Sequence, residues 1–200
     1  ITQAYGTEII YSDPMYGSDG AIRLVREIVE REPDRYFYPD QYSNPSNPLA
    51  HYLGTGREIL EQVGDEITHF VTGLGTSGTA MGTIRRLKEH SRPIHCAAAE
   101  PAEALHGLEG LKHMASSIVP NIYDPHLPDE IVPVTTDDGW EMSDRLAEDE
   151  GLHVGHSTGA NVWAALQMAK RDDARCVVTI AADRGDRYFA PMRWEKRYEW

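Results

Sequence analysis

A glycine-rich segment with three hydroxyl side chains is the part of the sequence best suited to chemistry. Residues 73–79 read Gly-Leu-Gly-Thr-Ser-Gly-Thr and separate a predicted strand from a predicted helix. Glycines let the backbone curl so that several amide N–H groups point into one concavity, and the N-terminus of the helix adds its positive dipole end. The hydroxyls of Thr76, Ser77 and Thr79 are further donors. The segment therefore predicts a site for a phosphate monoester or a diphosphate, with a tight turn that binds nothing as the alternative.

Two classes of ligand fit this segment. Its glycines match the pattern G-x-G-x-x-G, and Glu100 ends the next predicted strand 22 residues after Gly78. That is the arrangement of a dinucleotide-binding unit in which the acid holds a ribose hydroxyl, and it predicts an oxidoreductase that binds NAD. The three hydroxyl residues instead favour a terminal phosphate with several free oxygens. The segment alone does not decide between the two.

Strands and helices on either side must position the glycine segment. The spacing of apolar residues predicts helices around 22–29, 55–63, 80–88, 138–149 and 159–170, and strands at 7–11, 67–71, 94–99, 152–155 and 176–180. Strands that alternate with helices predict an α/β protein with a mostly parallel sheet flanked by helices.

Local signals predict where some of these elements begin. Ser18 or Asp19 is expected to cap the first helix, and Thr55 with Glu58 has the form of a capping box. Residues 42–48 contain two Asn-Pro pairs, which disfavour helix and strand alike. We expect a hinge there, between a short N-terminal part and the main body of the protein.

The composition excludes several classes of function. The 200 residues include 19 Lys and Arg against 32 Asp and Glu, which gives a formal net charge of −13. Nucleic acids and anionic membrane surfaces bind clustered positive charge, so neither is expected as a partner. No apolar run approaches the roughly 20 residues that span a bilayer. With 40% hydrophobic and 26% charged residues, the sequence is typical of a soluble globular protein.

Cysteine and histidine usage argues against disulfides and metal. The two cysteines, Cys96 and Cys176, each lie in an apolar run that predicts a strand. Two such cysteines do not make a disulfide framework, and the reducing cytoplasm is the expected compartment. The nine histidines show no ligand spacing with cysteines or carboxylates, so no metal site is expected.

Three further motifs accompany the glycine segment. Residues 41–48 read Gln-Tyr-Ser-Asn-Pro-Ser-Asn-Pro, residues 154–160 read Val-Gly-His-Ser-Thr-Gly-Ala, and residues 183–188 read Asp-Arg-Gly-Asp-Arg-Tyr. In this order and spacing, the four motifs resemble those of the cysteine synthase family, the O-acetylserine sulfhydrylases among the fold-type-II pyridoxal-phosphate (PLP) enzymes. Residues 107–114, Gly-Leu-Glu-Gly-Leu-Lys-His-Met, look most like the B-type and O-phosphoserine-using branches. The resemblance extends over nearly the whole chain and implies a fold like that of the tryptophan synthase β-subunit.

The resemblance implies roles for particular residues in binding PLP. The residues that would hold the PLP phosphate are Gly75, Thr76, Ser77, Gly78 and Thr79. Ser157 would hydrogen-bond the pyridine nitrogen, and a neutral hydroxyl there leaves that nitrogen largely unprotonated, which favours β-elimination. From the residues alone, Ser157 could equally be the N-cap of the helix that follows.

The resemblance also assigns residues to the substrate. Gln41 would help to bind the substrate carboxylate, although by itself it reads as a polar loop residue. Gly110 and Leu111 would line the entrance of the active site. Lys112 occupies the position where O-phosphoserine-using relatives place a basic residue, which would contact the substrate phosphate; a solvated surface lysine is the alternative.

Two features of the family have no counterpart in this sequence. Relatives bind PLP through a Schiff-base lysine and the substrate carboxylate through a Thr-Ser-Gly-Asn-type loop. The lysines of the chain, Lys88, Lys112, Lys170 and Lys196, do not match that context. The chain also begins with Ile1 rather than Met. We therefore expect it to correspond to the C-terminal two thirds of the family, with residues 1–45 as a remnant of the small N-terminal domain and 46–200 as the large PLP-binding domain.

The function implied by the resemblance is a β-replacement that makes L-cysteine from O-acetylserine or O-phosphoserine and a sulfide donor. A homodimer is expected, with serine acetyltransferase as a partner. Two alternatives remain open, namely a non-catalytic cofactor-binding or regulatory fragment and the NAD-binding oxidoreductase described above. The aromatic and charged tail, residues 193–200, is expected either to cap a dimer interface or to fray.

Overall fold

The computed structural model describes residues 2–188. The chain divides into two compact units, Ile1–Asp40 and Gln41–Trp200. The assignment of 1–45 to a small domain and of 46–200 to a large one stays a prediction. The tail at 193–200 lies outside the described residues.

The first unit is built around one helix, α1 (Gly17–Arg31), which confirms the helix predicted from its apolar periodicity. Its N-cap is Tyr16 rather than Ser18 or Asp19, because the chain enters α1 directly from the 3-10 turn Pro14–Tyr16. The strand predicted at 7–11 is wrong, since these residues are in neither helix nor strand. A β-branched run without a neighbouring strand has no partner for its backbone N–H and C=O groups.

The second unit is a parallel four-stranded sheet with helices on both faces. Its strands are β1 (His69–Gly73), β2 (His95–Pro101), β3 (Glu130–Val134) and β4 (Val177–Thr179), in the spatial order β3-β2-β1-β4. Its helices are α2 (Ser46–Leu53), α3 (Thr55–Val63), α4 (Gly78–Lys88), α5 (Thr136–Glu150) and α6 (His156–Ala169). Every strand pair is parallel. The predicted α/β class is therefore confirmed.

The core follows from the twofold alternation of the strands. Phe70 of β1 and Ala98 of β2 face a cluster that includes α4 residues, whereas Val71 and Ala97 face a cluster formed with α6. Strands buried on both faces read as continuous apolar runs, and this is why β1 and β2 were predictable. Within residues 2–188, no helix combines the length and apolar character needed to span a membrane.

The structure of the second unit differs from the sequence-based expectation at four places. Residues 46–48 begin α2 rather than an irregular segment, because a proline is tolerated in the first turn of a helix, where Pro48 lies. The hinge as a boundary between two parts of the chain stays a prediction. The capping box at Thr55 does not form, since Gly54 is the N-cap of α3. Residues 152–155 contribute only an isolated antiparallel bridge between Val154 and Arg184. Strand β3 was missed, because an internal proline is acceptable at the edge of a sheet.

Candidate cofactor site

The glycine segment runs from the carboxyl end of β1 to the N-terminus of α4, as predicted. Ser77 is the N-cap of α4 and adopts a left-handed conformation with φ of +68°. Such a conformation costs about 1–3 kcal/mol at a residue other than glycine, so it persists only where the surrounding structure enforces it. The strained turn brings the Ser77 side chain into the interior, where the residue is 2% exposed.

The Ser77 hydroxyl fits an anion at this turn. Within residues 2–188 its Oγ is buried and has no hydrogen-bond partner, and it makes no capping bond to α4. A buried hydroxyl without a partner costs about 1–3 kcal/mol. A phosphate oxygen would accept this hydrogen bond and would also lie at the positive end of the α4 dipole. The buried hydroxyl donor at the start of α4 therefore fits a phosphate group.

Helix α2 supports the turn from the other side. Asn47 donates from Nδ2 to Thr76 Oγ1 at 3.0 Å and to the backbone oxygen of Gln41 at 2.7 Å. His51, one helical turn later, lies with Nε2 3.2 Å from Thr79 Oγ1. Asn47 thereby connects the backbone of Gln41, an exposed residue, with Thr76, and His51 contacts a second predicted phosphate ligand, Thr79.

The loop that contains Gly110, Leu111 and Lys112 packs against the same segment. The backbone N–H of Lys112 donates to the oxygen of Leu74 at 2.7 Å. A Cβ atom on Gly75 would lie 2.4 Å from the oxygen of Gly110, so this close approach of two backbones requires glycine at position 75. The structure therefore brings the predicted entrance residues and the predicted phosphate ligands together.

Lys112 is buried rather than solvated. The residue is 4% exposed, and its Nζ lies 5.5 Å from the centre of the Tyr42 ring. A buried ammonium is costly unless anions or aromatic faces compensate its charge. The surface-lysine alternative is therefore wrong, and Lys112 adds a positive charge beside the glycine segment.

Ser157 lies in the first turn of α6, which begins at His156 with Gly155 as its N-cap. The N-cap alternative for Ser157 is therefore wrong. Asn161, one turn further along α6, has its Oδ1 2.8 Å from where a Cβ atom on Gly73 would lie. Since residues four apart share a helix face, the start of α6 is aimed at the carboxyl end of β1.

A polar pair fixes the start of α6. The backbone N–H of Gly155 donates to the oxygen of Asp183 at 3.1 Å, and Tyr188 donates its hydroxyl proton to the Asp183 carboxylate. Burial, together with this hydrogen bond, raises the pKa of Tyr188 to about 12. The ring of His156 stacks on Trp140 at 4.8 Å between centres and lies 5.3 Å from Tyr188. His156 thus places an aromatic stack next to Ser157.

Glu100, the candidate ribose ligand, has a structural partner. Its Oε1 accepts a hydrogen bond from the backbone N–H of Met114 at 2.8 Å. The carboxylate therefore anchors the end of the loop that carries Lys112.

Asn47 and His51 are the site residues that reasoning from sequence missed. Both lie in or beside the Asn-Pro motif, but no role could be assigned to them while that motif was interpreted as a hinge. The missing signal was their spacing of four residues, which places two polar side chains on one face of a helix.

Comparison with known proteins decides between the two ligand classes. Residues 1–183 match the family described as "Pyridoxal-phosphate dependent enzyme". The chain is 44% identical over 192 residues to a cysteine synthase from Aquifex aeolicus, covering 94% of this chain and 59% of that protein. It is 37% identical over 188 residues to cysteine synthase B from Escherichia coli, covering 94% of this chain and 61% of that protein.

Solved structures agree with this assignment. The cysteine synthase (OASS) from Entamoeba histolytica superimposes with a TM-score of 0.86 at 32% identity, covering 96% of this chain and 59% of that one. The chain thus spans less than two thirds of the length of these relatives. The glycine segment, the loop that carries the buried Lys112 and the start of α6 all lie at the carboxyl end of β1. The chain belongs to the family of pyridoxal-phosphate dependent enzymes.

Proposed function

We propose that the protein is a cysteine synthase that uses PLP to make L-cysteine from an O-activated serine and a sulfide donor. The observation that carries the proposal is the buried Ser77 hydroxyl, whose donor lacks a partner within residues 2–188 and points to an anionic cofactor group. The relatives described above are named cysteine synthases, which supports the choice of reaction.

In this proposal the glycine segment holds the phosphate of PLP. Gly75, Thr76, Ser77, Gly78 and Thr79 supply backbone and hydroxyl donors at the N-terminus of α4. When bound, PLP supplies an electron-accepting ring that stabilises negative charge at the substrate α-carbon.

The remaining assigned residues orient the ring and the substrate. Ser157 donates one hydrogen bond from its hydroxyl to the ring nitrogen, which stays uncharged. Gln41 binds the substrate carboxylate, and Gly110 and Leu111 line the path by which the substrate enters. No residue of this chain is assigned as the base that removes the α-proton, since none of its lysines matches the Schiff-base lysine of the family.

The proposal extends to the setting of the enzyme. We infer a homodimer that works in the cytoplasm and binds serine acetyltransferase, as the sequence resemblance implies. The thiols of Cys96 and Cys176 are unpaired, which accords with a reducing compartment. Sedimentation velocity of the protein, alone and with serine acetyltransferase, tests both associations.

The function is tested by cofactor titration followed by turnover. We expect the protein to retain a visible absorption band of PLP after dialysis. Cysteine formation from O-acetylserine or O-phosphoserine and sulfide is expected of a protein that also carries the Schiff-base lysine of the family, since none of the lysines of this chain matches it. PLP binding without turnover would favour the alternative of a non-catalytic cofactor-binding fragment. Tight NAD binding with no response to PLP would contradict the cofactor assignment.

Lys112 is expected to set the preference between the two activated serines. Its buried ammonium can pair with a substrate phosphate through a charge-assisted hydrogen bond, which an acetyl group does not offer. Lys112→Gln is expected to lower the ratio of kcat/KM for O-phosphoserine to that for O-acetylserine by about 10–100-fold. Lys112→Arg, which keeps the charge, is the matched control. An unchanged ratio in Lys112→Gln would exclude this role of the lysine.

A further inference from the structure

Helix α2 lies unusually close to the phosphate segment. A Cβ atom on Gly78 would lie 1.9 Å from Oδ1 of Asn47, and one on Gly82 would lie 2.0 Å from the oxygen of Pro48 and 2.8 Å from Cβ of His51. Two glycines on α4 therefore allow Asn47 and His51 to reach the hydroxyls of the segment directly.

Asn47 determines which way the Thr76 hydroxyl points. The oxygen of Gln41 can only accept, so the group that faces it at 2.7 Å is the amide nitrogen of Asn47. The second proton of that nitrogen then goes to Thr76 Oγ1 at 3.0 Å. Because Thr76 Oγ1 accepts this hydrogen bond, its own proton is available for a different acceptor.

His51 can do the same for Thr79. Its Nδ1 lies 3.0 Å from Thr55 Oγ1 and its Nε2 lies 3.2 Å from Thr79 Oγ1. Burial lowers the pKa of His51, so at neutral pH the ring carries one proton, on one of the two nitrogens. If Nε2 holds that proton, Nδ1 accepts from Thr55 and Thr79 is left free to donate.

A bound anion favours the arrangement in which His51 carries its proton on Nε2 and Thr79 donates its own. A phosphate oxygen has no proton to give, so Thr79 can hydrogen-bond to it only as a donor. All groups then donate in one direction, from Thr55 to His51, from His51 to Thr79, and from Thr79 to the anion. Hydrogen bonds that run in one direction polarise and strengthen each other.

We propose that Asn47 and His51 are positioning residues, which direct the hydroxyl protons of Thr76 and Thr79 toward the phosphate of the cofactor. The inference rests on the proposed binding of PLP at this segment. Neither residue touches the reacting atoms, and their contribution is specific to the phosphate group rather than to the ring.

The test compares PLP with pyridoxal, which lacks the phosphate, as ligands of the full protein. In His51→Leu, we expect the Kd for PLP to rise about tenfold, as for the loss of one well-placed hydrogen bond, while the Kd for pyridoxal changes less than about twofold. His51→Gln, whose side-chain amide offers an N–H donor in place of Nε2–H, is expected to recover most of this loss. Asn47→Asp, which replaces the donor by an acceptor, is expected to weaken PLP binding at least as much as His51→Leu.

Three outcomes separate the possibilities. Equal weakening of PLP and pyridoxal in His51→Leu would show a purely structural role and overturn the inference. A preference for PLP that survives His51→Leu unchanged would overturn it as well, while leaving the proposed function intact. A parent protein that binds PLP no better than pyridoxal would instead contradict the proposed cofactor site, and with it this inference.

A spectroscopic measurement tests the proton arrangement independently of affinity. Nitrogen-15 NMR of the protein with bound PLP is expected to show His51 as the Nε2–H tautomer. The Nδ1–H tautomer in that complex would make Thr79 the donor to His51 and would overturn the role of His51.

Discussion

Replacing Ser77 by aspartate is expected to weaken PLP binding by at least about 100-fold. Ser77 is 2% exposed and its hydroxyl lies where the structure offers donors to an anion. A carboxylate at this position would face the cofactor phosphate, and buried like charges cost several kcal/mol. The affinity is measured by titration with PLP, followed by visible absorption.

Ser77→Asn is the matched control for this substitution. Asparagine and aspartate have nearly the same size, and both tolerate the left-handed conformation found at residue 77 better than most residues do. The two variants therefore share any steric cost and differ in charge. Equal affinities for PLP in the two variants would show that the turn does not bind the phosphate.

Gly159→Ala is expected to destabilise the protein by about 2 kcal/mol. The added Cβ would lie 2.0 Å from the oxygen of Gly139 and 2.8 Å from the nitrogen of Ser143, both backbone atoms of α5 that cannot rotate away. Overpacking of this kind costs about 1–3 kcal/mol or more, and the better helix propensity of alanine returns about 1 kcal/mol. The melting temperature is expected to fall by about 4–8 °C.

An exposed position on the same helix provides the control for Gly159→Ala. Leu166 of α6 is 44% exposed, so Leu166→Ala is expected to change stability by less than about 0.5 kcal/mol. Urea unfolding of both variants gives the comparison. A Gly159→Ala variant as stable as the parent would mean that α5 and α6 are not in close contact at this point.

Sequence patterns predict the sheet and helices of the second unit well where burial is complete. Strands β1 and β2 are apolar runs buried on both faces, with α4 packed against one face and α6 against the other. Strand β3 escapes prediction because Pro133 interrupts its pattern and because an edge strand buries only alternate residues. The strand predicted at 152–155 does not form, since this short segment pairs at one position only, between Val154 and Arg184.

The hydroxyl residues of the candidate site could be identified from the sequence, whereas the side chains that contact them could not. The glycine segment carries its chemistry in consecutive residues, so Thr76, Ser77 and Thr79 are evident from the sequence. The burial of Lys112 and the contacts of Asn47 and His51 depend on how distant elements pack. Such contacts follow from tertiary structure, which local patterns do not encode.

The strand order has a consequence for the growing chain during translation. β1 pairs with β2 on one edge and with β4 on the other, and His69 is opposite Val177, 108 positions later in the sequence. At about 5–20 residues per second, one edge of β1 therefore stays open for several seconds after its synthesis. Because an open edge invites pairing with other chains, the nascent protein is exposed to edge-to-edge association during this interval.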